Sequence, residues 1–138
     1  MAGIWETYPN ALSLKHKLRA LVVNDSKFEQ VLLVAVLSRV GVETLVADNE
    51  KEALEVIQEG VILDLIIMDR EMHDLDDGIH ATRKLRAMGV TAKIIGISTE
   101  DMREAELEFL NAGADEYLTK PVKKEKLMSI LEEIDNKI

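Results

Sequence analysis

The chain of 138 residues contains no cysteine, only 2 prolines and 4% aromatic residues. The lack of cysteine excludes a disulfide framework, a thiolate nucleophile, a zinc site with Cys ligands and an iron–sulfur centre. The longest apolar run, Val31 to Leu37, is far shorter than the roughly 20 residues that a membrane-spanning helix needs. No basic segment followed by an apolar run opens the chain, so no secretory signal is predicted. We expect a protein of the cytoplasm, with the nucleus as a second compartment.

The charge balance favours cationic partners. The chain has 26 acidic against 17 basic side chains, a formal net charge of −9. This surplus repels phosphodiester backbones and anionic lipid head groups, so we expect neither nucleic acid nor a membrane surface as a partner. Part of it is local, because Asp69, Glu71, Asp74, Asp76 and Asp77 lie close together in the sequence with Arg70. A divalent metal ion suits such a segment.

Glycines divide the chain into alternating strand and helix patterns. Gly41, Gly60, Gly89 and Gly113 each end a helix-compatible stretch and precede an apolar run, as expected of residues that adopt positive φ at low cost. The pattern predicts strands over 19–23, 42–47, 63–68, 93–97 and 117–119, and helices over 26–40, 49–60, 79–88, 101–112 and 123–137. This alternation indicates a single doubly wound α/β domain, residues 18–138, with a parallel sheet covered on both faces. Residues 1–17, with Trp5 and the irregular segment 8–10, form an N-terminal extension.

Two helix starts have capping signals. Ser26 precedes Glu29 by three residues, and Asn49 precedes Glu52 by three, the pattern of an N-cap with an acid in the first turn. The first helix then carries its apolar residues at Phe28, Val31, Leu32, Ala35, Leu37 and Val40.

Polar side chains follow four of the five predicted strands. Ligands of open α/β sheets bind at the carboxyl ends of the strands. Asn24-Asp25 follows the first strand, Asp69 the third, Ser98-Thr99 the fourth and Lys120 the fifth. Each residue alone is commonly a turn former, a helix cap or a solvated surface group. Together they have a chemical logic, because two converging carboxylates call for a cation, a carboxylate can act as a nucleophile, and a lysine and a hydroxyl can neutralise phosphoryl oxygens.

The same four segments carry a family resemblance. They are Leu21-Val22-Val23-Asn24-Asp25-Ser26, Leu65-Ile66-Ile67-Met68-Asp69-Arg70-Glu71-Met72, Ile97-Ser98-Thr99 and Tyr117-Leu118-Thr119-Lys120-Pro121. In this order and spacing they resemble the signature segments of response-regulator receiver domains, over about residues 18 to 138. The resemblance implies a flavodoxin-like sheet of order 2-1-3-4-5 and a cis Lys120-Pro121 bond.

The resemblance implies a phosphorylation site at Asp69. This carboxylate would accept a phosphoryl group from a phosphohistidine of a histidine phosphotransfer protein or histidine kinase. Asp25, Asp69 and the backbone carbonyl of Glu71 would hold Mg²⁺ or Mn²⁺, with Asn24 bound through a water molecule. Lys120 would pair with the phosphoryl oxygens.

The resemblance also implies a switch and a docking surface. Ser98 would hydrogen-bond the phosphoryl group and move on activation, together with Tyr117. Ser26, Lys27 and Phe28, at the amino end of the first helix, would bind the phosphoryl donor. The protein is expected to act as a monomer.

A finer resemblance is to stand-alone receivers of plant phosphorelays, especially the type-C group. It rests on Asp69-Arg70-Glu71-Met72, on Thr82 to Met88 and on the lack of an output domain in this sequence. It implies signalling by protein contact or by drainage of phosphoryl groups, in a pathway such as cytokinin signalling.

Three positions depart from the family pattern. Asn24 stands where receivers have an acid, which predicts weaker Mg²⁺ binding or slower chemistry. His73 replaces a proline in a loop that is one residue longer than the common spacing, and Thr99 replaces a smaller residue. Two alternatives stay open: an interaction module that has lost phosphorylation, and a phosphohistidine phosphatase or phosphate sink, which the lifetime of the Asp69 adduct would distinguish from a lasting signal.

Overall fold

The structure is a computed structural model that describes residues 13–72, 77–99 and 103–138. Within these ranges, five strands alternate with five helices. In chain order they are β1 (Arg19–Val23), α1 (Lys27–Arg39), β2 (Glu43–Ala47), α2 (Glu50–Gln58), β3 (Leu65–Asp69), α3 (Gly78–Ala87), β4 (Lys93–Ser98), α4 (Arg103–Ala112), β5 (Glu116–Thr119) and α5 (Lys124–Asn136). Every predicted element is present with shifts of one or two residues at its ends. The predicted start of the fourth helix at 101, Trp5 and residues 8–10 lie outside the described residues.

The strands form one parallel sheet of order β2-β1-β3-β4-β5, as the family resemblance implies. β1 and β3 lie side by side in the centre, with Val23 opposite Met68. On the other side of β3, Asp69 lies opposite Ile97 of β4. These registers bring the carboxyl ends of β1, β3 and β4 to the same edge of the sheet.

Apolar side chains cover both faces of the sheet. Leu21, Ile66 and Met68 point to a core that includes Ala53 of α2, residues of α3 and Phe109 of α4. Their neighbours along the strands point to a second core, which α1 and α5 complete with Leu37 and Leu131. Successive residues of a strand face opposite sides of the sheet. A strand buried on both faces therefore has the continuous apolar sequence seen in 65–68.

The predicted helix signals are confirmed. The Ser26 hydroxyl accepts a hydrogen bond from the Glu29 N–H at 3.3 Å, and the Asn49 side chain accepts one from the Glu52 N–H at 2.9 Å. The four helix-ending glycines all have positive φ, between 84° and 116°. The Lys120-Pro121 peptide bond is cis.

Of the apolar residues that the sequence pattern places on helix α1, only Leu37 is buried. Gln30, Leu33 and Leu37 are its buried residues, whereas Phe28 and Val31 are exposed. Gln30 is buried because its side-chain amide donates hydrogen bonds to the backbone carbonyl of Asn24 and to Asp48. The solvent-facing side of α1 therefore carries the large apolar side chains of Phe28, Val31 and Leu32.

The segment before β1 is attached to the end of α5. The buried carboxylate of Asp135 accepts hydrogen bonds from the backbone N–H groups of Lys15 at 2.7 Å and His16 at 2.9 Å. Its Oδ1 also lies 2.8 Å from Nδ1 of the His16 ring. The hydrogen bond from Lys15 and those from His16 hold the pKa of Asp135 below its usual value. Across the described ranges, no helix has both the length and the apolar character needed to cross a membrane.

Candidate functional site

The described structure brings the predicted site residues to one edge of the sheet. Asp69 is the last residue of β3 and Ser98 is the last residue of β4. Asn24 and Asp25 directly follow β1, and Lys120 directly follows β5. These side chains come from four strands that are distant in sequence, and the parallel register places them together.

Asp69 is at the centre of this edge and is almost fully buried, with 1% of its surface exposed. Its Oδ2 lies 2.9 Å from Nζ of Lys120, and its Oδ1 accepts a hydrogen bond from the Glu71 N–H at 3.0 Å. Burial disfavours the charged form and raises the pKa of Asp69 to about 6, against the opposing effect of Lys120. The carboxylate is therefore poorly solvated and would gain from a further cation.

Lys120 is shared between two carboxylates. Besides Asp69, its Nζ lies 2.9 Å from Oε1 of Glu29 on α1. Burial opposes the charge of Lys120, but the hydrogen bonds to Glu29 and Asp69 outweigh burial and raise its pKa above the usual value. Lys120 is thus a permanent cation beside Asp69.

The side chain of Glu71 reaches the end of β4. Its Oε2 accepts a hydrogen bond from the Ser98 hydroxyl at 2.6 Å, and its Oε1 accepts one from the Thr99 N–H at 2.9 Å. The Thr99 hydroxyl lies 3.0 Å from the same Oε1. Burial acts against the charge of Glu71, yet these hydrogen bonds prevail and hold its pKa below the usual value.

Asn24 is fully buried beside Asp25. Its Oδ1 accepts a hydrogen bond from the Ser26 N–H at 2.9 Å. Its Nδ2 has no hydrogen-bond partner among the described residues. A buried donor without a partner is costly, so this amide group is suited to a water molecule or a ligand oxygen at the same edge.

The backbone of Asp69 is held by close packing against the start of α3. A Cβ atom added at Gly78 would collide with the carbonyl oxygen of Asp69 and come within 2.8 Å of its carbonyl carbon. Gly78 also donates its N–H to the Arg70 carbonyl at 3.3 Å. The sequence did not single out Gly78 for this role, because the close approach exists only in the folded chain.

The donor set at this edge suits a magnesium ion. Within the described residues, no group of three His, Cys, Asp or Glu side chains forms a metal site. Mg²⁺ usually binds to one or two carboxylates and keeps several water molecules. Asp25, Asp69 and the Glu71 carbonyl offer hard oxygen ligands of this kind, and the buried charge of Asp69 is the feature that a cation would stabilise.

Two more predicted regions are described by the structure. Tyr117 on β5 is half-buried, with its ring centroid 5.9 Å from that of Phe109.

Phe28 on α1 is 72% exposed and borders a groove between α1 and the chain after β5. The groove has a volume of about 580 Å³ and is also lined by Leu32, Lys120 and Pro121. Lys27 is exposed and pairs with Asp48 at 3.0 Å. His73 lies outside the described residues.

Sequence reasoning missed two carboxylates of the site. The sequence pattern around Glu29 indicates only a capping acid, although its carboxylate also pairs with Lys120. The family resemblance gives a role only to the backbone carbonyl of Glu71, whereas its side chain binds Ser98 and Thr99. Glu29 lies in the first turn of α1, four residues after Asp25, and this position indicates that its side chain is close to the carboxyl end of β1. No local signal exists for Glu71, because its partners belong to another strand.

A five-stranded parallel sheet of order β2-β1-β3-β4-β5, with an acid at the end of β3 and a lysine after β5, places the chain in the flavodoxin-like class of α/β domains. The family model described as "Response regulator receiver domain" matches residues 20–132, and the chain belongs to this family.

Individual relatives agree with this assignment. The chain is 39% identical over 130 residues to the two-component response regulator 24 of Arabidopsis thaliana, an alignment that covers 94% of this chain and 91% of the relative. The receiver domain of the Francisella response regulator 1452 matches 88% of this chain and 98% of its own, with a TM-score of 0.79 and 30% identity.

A third match is a receiver domain solved together with a partner. It is the receiver domain of the Saccharomyces cerevisiae response regulator Ssk1, in a co-crystal with the histidine phosphotransfer protein Ypd1. The match has a TM-score of 0.78 and 26% identity, and it covers 87% of this chain and 90% of the other.

Proposed function

We propose that this chain accepts a phosphoryl group on Asp69 from a phosphohistidine of a histidine phosphotransfer protein. The observation that supports this most directly is the buried Asp69 carboxylate, 2.9 Å from Lys120 at the carboxyl end of the sheet. In the transfer, an Asp69 oxygen attacks phosphorus as the bond to the imidazole nitrogen breaks. The imidazole leaves with that electron pair, so the nucleophile must be the unprotonated carboxylate.

The residues around Asp69 supply the electrostatics of this step. Phosphoryl transfer depends mainly on positioning the reactants and on stabilising the charge on the equatorial oxygens. Lys120 presents a cation to these oxygens, and the Ser98 hydroxyl lies at the end of the neighbouring strand. Mg²⁺ or Mn²⁺, held by Asp25, Asp69 and the Glu71 carbonyl, with Asn24 bound through water, would neutralise further negative charge.

The donor is proposed to dock on the amino-terminal part of α1. Ser26 and Lys27 mark its start, and Phe28 with Leu32 presents an exposed apolar surface beside Lys120. Exposed aromatic residues next to a groove are typical of protein contact sites. The Ssk1 receiver, which has the same fold, is known in a complex with a histidine phosphotransfer protein.

The phosphorylated state is proposed to act through Ser98 and Tyr117. If Ser98 moves toward the phosphoryl group, the space near the end of β4 changes and the half-buried Tyr117 turns inward. The exposed face of α4, β5 and α5 would change with it. Output would then be contact with another protein, in a phosphorelay of the plant type, by a monomeric receiver domain spanning 18–138.

Phosphoryl drainage is a second candidate function. The Ser98 hydroxyl and the Thr99 N–H already bind the Glu71 carboxylate. A phosphoryl group that lacks these donors would be held less firmly and lost sooner. If the adduct is short-lived, the chain acts as a sink for phosphoryl groups. If the adduct is long-lived, the phosphorylated chain acts as a signal.

The test of the primary proposal is the mass of the intact protein after incubation with Mg²⁺ and a phosphorylated histidine phosphotransfer protein. We expect an adduct of one phosphoryl group that is absent in Asp69→Asn. Glu132→Gln, an exposed change on α5, is the control and should be modified like the unaltered chain. An unmodified wild type, or an adduct that persists in Asp69→Asn, would show that the proposal is wrong.

A further inference from the structure

The carboxylate of Glu71 binds three hydrogen-bond donors at the end of β4. The distances are 2.6 Å from its Oε2 to the Ser98 oxygen, and 2.9 Å and 3.0 Å from its Oε1 to the Thr99 nitrogen and hydroxyl oxygen. Ser98 is fully buried, so its hydroxyl has little access to water as an alternative acceptor. The contact joins the turn after β3 to the end of β4.

These donors lie next to Asp69. Asp69 is in register with Ile97, the residue before Ser98, and its Oδ1 accepts the Glu71 N–H at 3.0 Å. A phosphoryl group on Asp69 would bring anionic oxygens to the same region. A hydroxyl has one proton, and a backbone amide also has one, so each forms its strong hydrogen bond with one acceptor at a time.

We propose that the Glu71 side chain is an internal competitor of the phosphoryl group for the Ser98 hydroxyl and the Thr99 N–H. This inference rests on the proposed phosphorylation of Asp69. Before phosphorylation, the Glu71 carboxylate holds both donors. A phosphoryl group gains them only when Glu71 leaves, and repulsion between the two anions favours that departure.

The competition makes Glu71 a positioning residue that sets how firmly the phosphoryl group is held. Its contacts stabilise the unphosphorylated arrangement of Ser98 and Thr99, so the charge-assisted hydrogen bond from Ser98 to Glu71 must break before the switch residue can move. Removal of the Glu71 carboxylate should stabilise the phosphorylated state relative to the free state. A residue that only supported the site would have the opposite effect when removed.

The test is the affinity for beryllofluoride, a non-covalent mimic of the phosphoryl group, in the presence of Mg²⁺. Binding to the full chain would be followed by NMR through the Ser98 and Thr99 amide signals. We expect Glu71→Ala to bind beryllofluoride about tenfold more tightly than the wild type, the order of magnitude for freeing such donors. Glu71→Gln should give a smaller increase, because its amide oxygen is a weaker, uncharged acceptor. Glu132→Gln controls for the change of one charge and should bind like the wild type.

A second measurement tests the contact without any phosphoryl mimic. In the free protein, the Thr99 amide proton should shift upfield in Glu71→Ala, as expected when a short hydrogen bond to a carboxylate is lost. Glu71→Gln retains the size of the side chain and supplies the same comparison if the alanine variant unfolds.

The outcomes separate this inference from the proposed function. If the wild type binds beryllofluoride and both Glu71 variants bind it equally or more weakly, the competition is refuted while phosphorylation of Asp69 stands. An unchanged Thr99 signal in both variants would also refute it. A wild type that neither binds beryllofluoride nor gains a phosphoryl group would refute both proposals.

Discussion

Asp69 and Lys120 form an ion pair of 2.9 Å across the carboxyl ends of β3 and β5, which are separated by β4 in the sheet. The pair spans 51 positions of sequence. It leaves a carboxylate with 1% exposure beside one cation that it shares with Glu29. In the absence of a further cation, the buried charge of Asp69 therefore lowers the free energy of unfolding of the protein.

Replacement of Asp69 by asparagine should therefore stabilise the fold. The pKa of Asp69 is raised from 3.8 to about 6, so the folded wild type loses stability as the pH rises through this window, in which the unfolded chain is already ionised. At neutral pH the variant should gain about 2 to 3 kcal/mol, since one pKa unit corresponds to about 1.4 kcal/mol. Urea unfolding between pH 4 and pH 7 without Mg²⁺ measures the difference.

Asp135→Asn provides a control of opposite sign. The pKa of Asp135 is lowered by its hydrogen bonds to Lys15 and His16, so its carboxylate adds stability above its usual pKa. That variant should be less stable than the wild type throughout the range from pH 4 to pH 7, with a difference that changes little because the contribution of the carboxylate is nearly complete above its usual pKa. A stability difference for Asp69→Asn that does not change between pH 4 and pH 7 would contradict the effect of burial.

Gly78→Ala should impair phosphorylation more than stability alone explains. The added Cβ meets the carbonyl group of Asp69, so the backbone that carries the nucleophile must move. We expect a loss of about 1 to 3 kcal/mol in the free energy of unfolding and at least a tenfold slower transfer, measured with the phosphorylated donor.

Gly96→Ala is the matched control for this change. Its Cβ would lie 2.6 Å from the Phe109 ring in the core, and it is in register with Met68, so the added atom meets a side chain and not the backbone of Asp69. It should cost similar stability with a smaller effect on the transfer rate. Equal rates for the two variants would indicate a general packing effect.

Phe28→Ala should weaken binding of the phosphoryl donor without unfolding the chain. The side chain is 72% exposed, so its removal costs the fold little, whereas an aromatic anchor of an interface is commonly worth more than 1 kcal/mol. We expect about a tenfold loss of affinity for the histidine phosphotransfer protein by calorimetry. Ile62→Ala, at 80% exposure before β3, is the control and should bind normally. Normal binding by Phe28→Ala would place the docking surface elsewhere.

Asn24→Asp should lower the stability of the protein and raise its affinity for Mg²⁺. The residue is fully buried, and a second acid beside Asp25 would repel Asp69 in the absence of a cation. We expect a lower melting temperature without Mg²⁺ and about a tenfold higher Mg²⁺ affinity by calorimetry, since charged ligands increase the affinity of such sites. Asn111→Asp on the exposed part of α4 controls for net charge. Unchanged Mg²⁺ affinity in Asn24→Asp would mean that Asn24 is not near the metal.

Periodicity and local signals in the sequence were sufficient to predict the secondary structure. The glycines at helix ends and the caps at Ser26 and Asn49 act within a few residues, so their effects can be predicted from local sequence. The apolar run of β3 likewise indicated burial on both faces. The strand order and the cis bond before Pro121 came from resemblance to a family, since local physics does not specify them.

The sequence by itself determined the alternation of strands and helices, and with it the edge at which Asp25, Asp69, Ser98 and Lys120 meet. Chain direction and strand ends specify that edge in any parallel sheet. Only the tertiary structure decided that Glu29 shares Lys120, that Glu71 binds Ser98 and Thr99, and that α1 buries Gln30 while exposing Phe28. These contacts depend on side-chain reach between separate elements at distances of a few ångströms, which no spacing along the chain encodes.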